Sequence, residues 1–152
     1  FDLCILIREL VDSFEIRMKE KGIEITYGFG NDKSILVNAD HFRITQVMSN
    51  LIVNSLNYGV ENGTIEIITK NLSKEKLLVR VIDNGQGIPE DDLPRIFERF
   101  YRVDKTRNRQ EGGSGLGLSI VKHIVEAHNE IVYVESSLNV GSEFSFTLTK
   151  SN

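Results

Sequence analysis

Apolar and polar positions change their period several times along this chain, and each change marks an element. Asp2 precedes Leu3, Ile5, Leu6, Leu10, Val11 and Phe14, apolar residues at helical spacing behind a side chain suited to capping. The pattern predicts one helix reaching Lys19-Glu20-Lys21 and closed by Gly22, because glycine takes the left-handed angles of a helix end. Ile23, Ile25 and Tyr27 alternate with polar neighbours as a strand does, and residues 34–37 predict a second short strand. Asp40 then caps a long helix to about Tyr58. Residues 64–70 and 76–82 predict two strands joined as a hairpin. From 83 to 113 periodicity is lost, apart from a short helical piece near 93–97, and so long an irregular segment in a domain usually serves function. A helix over 114–128 shows Ile120, Val121, Ile124 and Val125 on one face. Strands over 131–135 and 143–148 close the chain, with Phe144, Phe146 and Leu148 alternating inward. The fold expected is α/β, a two-layer sandwich of a mixed sheet and three main helices.

Composition narrows the class without naming an activity. The 152 residues suit one domain, 1–152, and 40% apolar with 26% charged residues is ordinary for a globular chain. A net charge of −4 argues against a general nucleic-acid binder. One cysteine, Cys4, forbids an internal disulfide and reads as a small apolar filler. No apolar run is long enough to cross a bilayer. The chain starts at Phe1 without methionine, so a piece of a longer protein is expected.

Four stretches carry candidate chemistry. Gly112, Gly113, Gly115 and Gly117 fall within six residues at the start of a helix. Such a turn aims unpaired N–H groups and a positive dipole at its occupant, a recurrent way to hold phosphate, although a flexible loop has the same composition. Neither a Walker lysine nor the spacing G-x-G-x-x-G is present. On the long helix Asn50, Asn54 and Asn57 form one stripe, opposite Ile44, Val47, Met48, Leu51, Ile52 and Ser55. Amide oxygens suit hard cations such as Mg²⁺, and a merely polar face is the alternative. In the third stretch, Asp83 ends a strand row of Leu77, Val79 and Val81, which places a carboxylate at the interior edge. A purine amine could donate to it; a capped turn is the alternative. Gly85 and Gly87 follow and would let a flat ring lie against the chain. The fourth stretch joins Phe97, Phe100 and Tyr101 with Arg95, Arg99, Arg102, Lys105, Arg107 and Arg109, cations able to clamp phosphates or simply solvated.

In this order the segments resemble the catalytic and ATP-binding domain of bacterial sensor histidine kinases, with its Bergerat-type ATP-binding fold. Asn50-Leu51-Ile52-Val53-Asn54-Ser55-Leu56-Asn57-Tyr58 looks like the family's asparagine box, and Asp83-x-Gly85-x-Gly87 like its first glycine box. Phe97-Glu98-Arg99-Phe100 looks like its phenylalanine box, and Gly113-x-Gly115-Leu116-Gly117-Leu118 like its second glycine box. The likeness covers essentially the whole chain and looks strongest toward phosphate-responsive and cell-wall-responsive sensors. It implies ATP and Mg²⁺ as cofactors, with Asn54 on the metal and Asn50 supporting it from one turn earlier. Asp83 would accept from the adenine amine, with Tyr58 and Ile88 beside the base. Phe97 and Phe100 would anchor a mobile lid, and Gly112 and Gly113 would hinge it. Arg102 and Lys105 would reach the phosphates. The N–H groups of Gly113, Ser114, Gly115, Leu116, Gly117 and Leu118 would hold them at the helix start.

The departures are informative. Asn57 stands where the family usually has lysine or histidine, so a phosphate contact is lost or supplied elsewhere. Asn129-Glu130 replaces a usual glycine pair and Asn139 a usual glycine, though asparagine also takes left-handed caps. Hydrolytic relatives of the fold place glutamate where this chain has Asn50, which cannot take a proton; that favours transfer over hydrolysis. A non-catalytic nucleotide-binding module is the other alternative. None of His41, His123 and His128 sits in the family's acceptor pattern. The resemblance therefore implies partnership with the protein's own dimerisation and histidine-phosphotransfer domain, then a response regulator. It implies no nucleic-acid or direct membrane contact, and a cytoplasmic place within an inner-membrane sensor.

Overall fold

Five strands, β1 (Glu24–Gly28), β2 (Thr64–Asn71), β3 (Lys76–Asp83), β4 (Val132–Ser137) and β5 (Gly141–Thr149), form one mixed sheet in the order β1-β2-β3-β5-β4. The structure is a computed structural model that describes residues 1–103 and 116–151. Its helices are α1 (Leu3–Asp12), α2 (Glu15–Lys21), α3 (His41–Asn57) and α4 (Gly117–Ala127), with a 3-10 turn at Leu93–Arg95. β1 runs parallel to β2 and every other pairing is antiparallel. Parallel neighbours need a long crossover, and α3 supplies it.

The strands alternate cleanly. Ile65, Ile67, Leu77, Val79, Val81, Phe144, Phe146 and Leu148 share one face and are fully buried. Register sets Val79 opposite Phe146, and Val81 opposite both Ile67 and Phe144. Against that face lie Leu3, Leu6, Ile7 and Val11 of α1, Ile44, Val47, Met48, Leu51, Ile52 and Leu56 of α3, and Val121, Ile124 and Val125 of α4. The other face carries Glu66, Arg80, Glu143 and Ser145, with Arg80 forking onto both Glu143 oxygens at 2.7 and 3.1 Å. Helices on one side and charge on the other make this the expected two-layer sandwich.

Two sequence expectations need correction. The first helix is not continuous. Ser13 donates its hydroxyl to the Leu10 carbonyl and its N–H to Glu9 and Leu10, so the chain tightens and Phe14 turns toward the core. A serine that bonds its own backbone competes with the helix in this way. After the break α2 buries no residue, and Ile16 points to solvent. Nor do residues 34–37 form a strand of the sheet. They make two isolated bridges, Asp2 with Leu36 and Val37 with Lys150. The Asp2 carboxylate takes the Ser34 hydroxyl and the Ile35 N–H, which bends the segment around the helix start.

The expected left-handed residues are present. Gly22 closes α2 at φ 67°, and Asn129 and Asn139 sit at φ 58° and 63°. Glu130, beside Asn129, is buried and binds three partners. Its oxygens accept from Lys76 Nζ at 2.6 Å and from the Thr147 and Thr149 hydroxyls, each at 2.8 Å. Burial pushes this carboxyl up, but the bonds from Lys76, Thr147 and Thr149 outweigh it and leave it below its ordinary value. Such a group stabilises the fold at higher pH and loses that contribution as it protonates. Glu130→Gln keeps the shape and drops the charge. It should cost about 1–2 kcal/mol near neutral pH, read by thermal unfolding. The gap to wild type should close below pH 4.5, the ordinary glutamate value; a constant gap on acidification would exclude the charge as its source.

Candidate functional site

α3, the end of β3 and the start of α4 enclose a cavity of about 340 Å³. The orientation of α3 follows from its two faces. Asp40 accepts from the Arg43 N–H and sets the first turn, and the core grips the apolar side. The asparagine stripe is thereby turned to the cavity, where Asn50, Asn54, Asn57 and the capping Tyr58 line one wall. At the far end of α4, His128 Nε2 accepts from the Asp40 N–H, so the two helices run antiparallel. Gly117, first residue of α4, consequently faces the Asn50 side chain; a Cβ there would lie 3.8–4.0 Å from it.

Asp83, Gly87, Ile88, Arg102, Leu116, Gly117 and Leu118 complete the wall from the expected set. Gly85 is not among the lining residues. It lies behind Asp83 and donates its N–H to Oδ1 at 2.9 Å, the capped turn that the sequence left as an alternative. Gly87, at φ 73°, lines the cavity, but what excludes a side chain there is the Ser137 carbonyl rather than a ligand. Lys105, Gly112, Gly113, Ser114 and Gly115 lie outside the described residues.

The Asp83 carboxylate is 9% exposed and carries three donors from three elements. Oδ1 takes the Gly85 N–H and, at 3.3 Å, the Ser142 N–H of β5, while Oδ2 takes the Ser55 hydroxyl of α3 at 3.1 Å. Burial pushes its pKa up further than these bonds bring it down, so the net shift is upward. Such a carboxylate gains from any further donor that reaches it. Asn50 has the complementary need. Its side-chain nitrogen is buried without a hydrogen-bond partner, a cost that an acceptor in the cleft would remove.

The irregular segment divides its aromatic residues. Phe97 packs edge-on against Phe144 of the core, at 6.4 Å between centroids, whereas Phe100 is exposed at φ 66°. Arg95 stacks on Tyr101 at 4.6 Å and pairs with Glu98 at 2.9 Å; Tyr101 and Arg102 line the cleft, and Arg95 does not.

A resident metal would need a preformed set of anionic or imidazole ligands, and among the described residues no group of three His, Cys, Asp or Glu could supply one. The side-chain oxygens of Asn50 and Asn54 fit a cation that arrives with phosphate and keeps water in most of its positions. The donor set therefore fits Mg²⁺ carried by a nucleotide.

Several residues of the site escaped the sequence reading. Ser142 was not singled out, and Ser55 was legible only as a polar residue on an apolar stripe; both hold Asp83. For Ser55 the available signal was that a buried hydroxyl must find an acceptor; Ser142 donates its backbone N–H, which its residue type does not signal. Gln86 and Val103 also line the cleft, and nothing in their spacing marks them.

Comparison with known proteins agrees with this architecture. The family described as "Histidine kinase-, DNA gyrase B-, and HSP90-like ATPase" matches residues 39–152. The chain belongs to that ATPase family, as a catalytic domain of the bacterial sensor-histidine-kinase kind. It is 41% identical to the sensor histidine kinase WalK of Bacillus subtilis over 140 residues, 91% of this chain and 23% of WalK. The catalytic domain of histidine kinase ThkA, nucleotide-free, superposes with a TM-score of 0.84 at 34% identity, over 99% of this chain and 93% of that one. Full-length ShkA in complex with AMPPNP superposes with a TM-score of 0.84 at 29% identity, over 99% of this chain and 31% of that one. The chain thus spans under a quarter of the length of the WalK relative.

The pH dependence of stability isolates Asp83. A carboxyl whose folded pKa is raised supports the fold only below its ordinary value and opposes it as pH rises through the folded value. Asp83→Asn, which keeps an oxygen for Gly85 and Ser142, should melt no lower than wild type near neutral pH. The difference should vanish below pH 3.8, the ordinary aspartate value, where both side chains are neutral. A variant that melts well below wild type at neutral pH would show that the charge supports the fold.

Proposed function

We propose that this chain binds Mg-ATP and donates the γ-phosphate to a histidine on a separate dimerisation and phosphotransfer domain of the same protein. The observation that carries the reading is that Asp83, the asparagine stripe and the start of α4 line a single cavity. Asp83 accepts from the adenine amine, and Tyr58 and Ile88 close on the ring. Asn50 and Asn54 face the phosphates and the metal they carry; Arg102 and the first N–H groups of α4 add positive potential there. Mg²⁺, when bound, neutralises phosphate charge. Phosphoryl transfer asks mainly for positioning and such neutralisation, and the chain provides those rather than a covalent intermediate. Lys105 is assigned to the phosphates, and Gly113, Ser114 and Gly115 to the phosphate cradle.

No described histidine is placed as an acceptor. His41 meets Phe1 edge-on, and His128 binds the backbone at both ring nitrogens. We assign the acceptor to another domain, because none of the three histidines sits in the family's acceptor pattern, and a response regulator receives the phosphate next. The relatives support this order: WalK is a sensor histidine kinase, and a ThkA structure contains its response regulator TrrA (TM-score 0.78, 32% identity, 99% of this chain, 41% of that one). Among the described residues no helix is long and apolar enough to cross a membrane. We place the chain on the cytoplasmic side of an inner-membrane sensor.

Calorimetric titration of Mg-ATP tests the nucleotide site. Asp83→Asn should weaken binding by roughly ten- to a hundredfold, the worth of one buried charged hydrogen bond. Asn54→Ala should abolish the dependence of affinity on Mg²⁺. Incubated with ATP, the chain alone should gain no acid-labile phosphate, and a separate histidine-bearing helical domain should gain it when added. Unchanged affinity in both variants would overturn the assignment, as would phosphate on the chain's own histidines.

A further inference from the structure

Asn57 faces two ways. Its side chain lines the cleft, and its Oδ1 accepts from Nη2 of Arg17 at 2.6 Å. Arg17 comes from α2, forty residues earlier, and is exposed. No carboxylate among the described residues lies within ion-pair distance of it. The guanidinium carries five N–H donors in a fixed fork, and Asn57 occupies one edge of it.

α2 buries no residue completely; Met18 packs partly against the core, and two cations tie the helix to the end of α3. Lys21 Nζ donates to the carbonyls of Leu56 at 2.7 Å and Asn57 at 3.2 Å, which satisfies α3's last turn. Arg17 adds nothing of that kind. Its one described bond is to Asn57, a neutral side chain that lines the cleft, although Arg17 itself is not among the lining residues.

The wall itself is short of positive charge. Among the described lining residues Arg102 is the one cation and Asp83 the one anion. A nucleotide triphosphate keeps a net negative charge even with its metal. We propose that Arg17, positioned by Asn57, is a phosphate-contacting residue of this site, so that α2 supplies a cation that α3 does not carry. The proposal rests on the nucleotide reading above. Asparagine is the right chemistry at 57 because its oxygen holds a guanidinium, where a lysine at 57 would repel it. The fork left over matches the geometry of a phosphate edge.

Calorimetry with Mg-ATP, Mg-ADP and adenosine tests the proposal on the 152-residue chain. Arg17→Met should unfold with wild type, since Arg17 is exposed. It should weaken ATP and ADP by about three- to tenfold, the modest worth of an exposed charged contact, and leave adenosine unchanged. The loss should shrink in high salt. Asn57→Ala should lose a similar factor, and combining it with Arg17→Met should add little. Asn57→Lys in the Arg17→Met background should restore ATP affinity to within about twofold of wild type. ATP affinity unchanged in Arg17→Met, or adenosine weakened as much as ATP, would overturn the proposal. Asp83→Asn separates the two readings. If that variant binds ATP as wild type does, the nucleotide site itself falls; if only Arg17→Met is silent, this inference falls alone.

Discussion

A buried carboxylate with too few donors is the constraint on which this structure turns. Asp83 ends the apolar row of β3, where little of it is exposed, and three separate segments send one donor each. Those donors come from α3, from the loop after β3, and from the first residues of β5. Their positions depend in turn on the sheet order, because only β5 beside β3 brings Ser142 opposite Asp83. The bonds do not fully offset the burial, and the carboxyl stays raised. An apolar residue there would stabilise a simple sandwich better. Retaining the charge makes sense where a ligand completes its coordination.

α3 transmits that constraint across the cleft. Its seven buried residues lock its rotation against the sheet, so the polar stripe has one possible direction. Ser55, on the buried side, reaches Asp83, while Asn50 and Asn54 face the start of α4. One helix therefore fixes the distance between the carboxylate and the helix dipole. Core packing acts here as part of the site: a large-to-small change at Met48 or Leu51 would let the stripe rotate as well as leave a void.

Much of this was legible because period and position carry it. The row Leu77, Val79, Val81, Asp83 is a statement about one face of a strand, and the asparagine stripe a statement about one face of a helix. Those survive in any fold that buries the apolar side. The failures share a cause. The break at Ser13 comes from a side chain bonding its own backbone, which helical spacing does not encode. Residues 34–37 alternate like a strand, with Ile35 and Val37 buried and Leu36 half exposed, but pair only at isolated bridges. Alternation predicts which way side chains point, not whether a neighbour exists. On the other face of β5, Ser145 and Thr147 are buried as well, the first bonded to Glu143 and the second to Glu130.

The positions where this chain departs from its relatives' usual pattern show how local requirements are met by other means. Asn129 and Asn139 hold left-handed angles that glycine would hold more freely, and asparagine tolerates them because its short amide can bond locally. Keeping asparagine at 129 leaves position 130 for a side chain, and Glu130 uses it to tie the helix exit to β3 and β5 through Lys76, Thr147 and Thr149. Position 57 follows the same logic in the cleft. The side-chain oxygen of Asn57 accepts from Arg17 and helps tie α2, whose Met18 packs partly against the core, to the end of α3. The requirement at 129 and 139 is a backbone angle, and asparagine meets it there as Gly22 does at the end of α2.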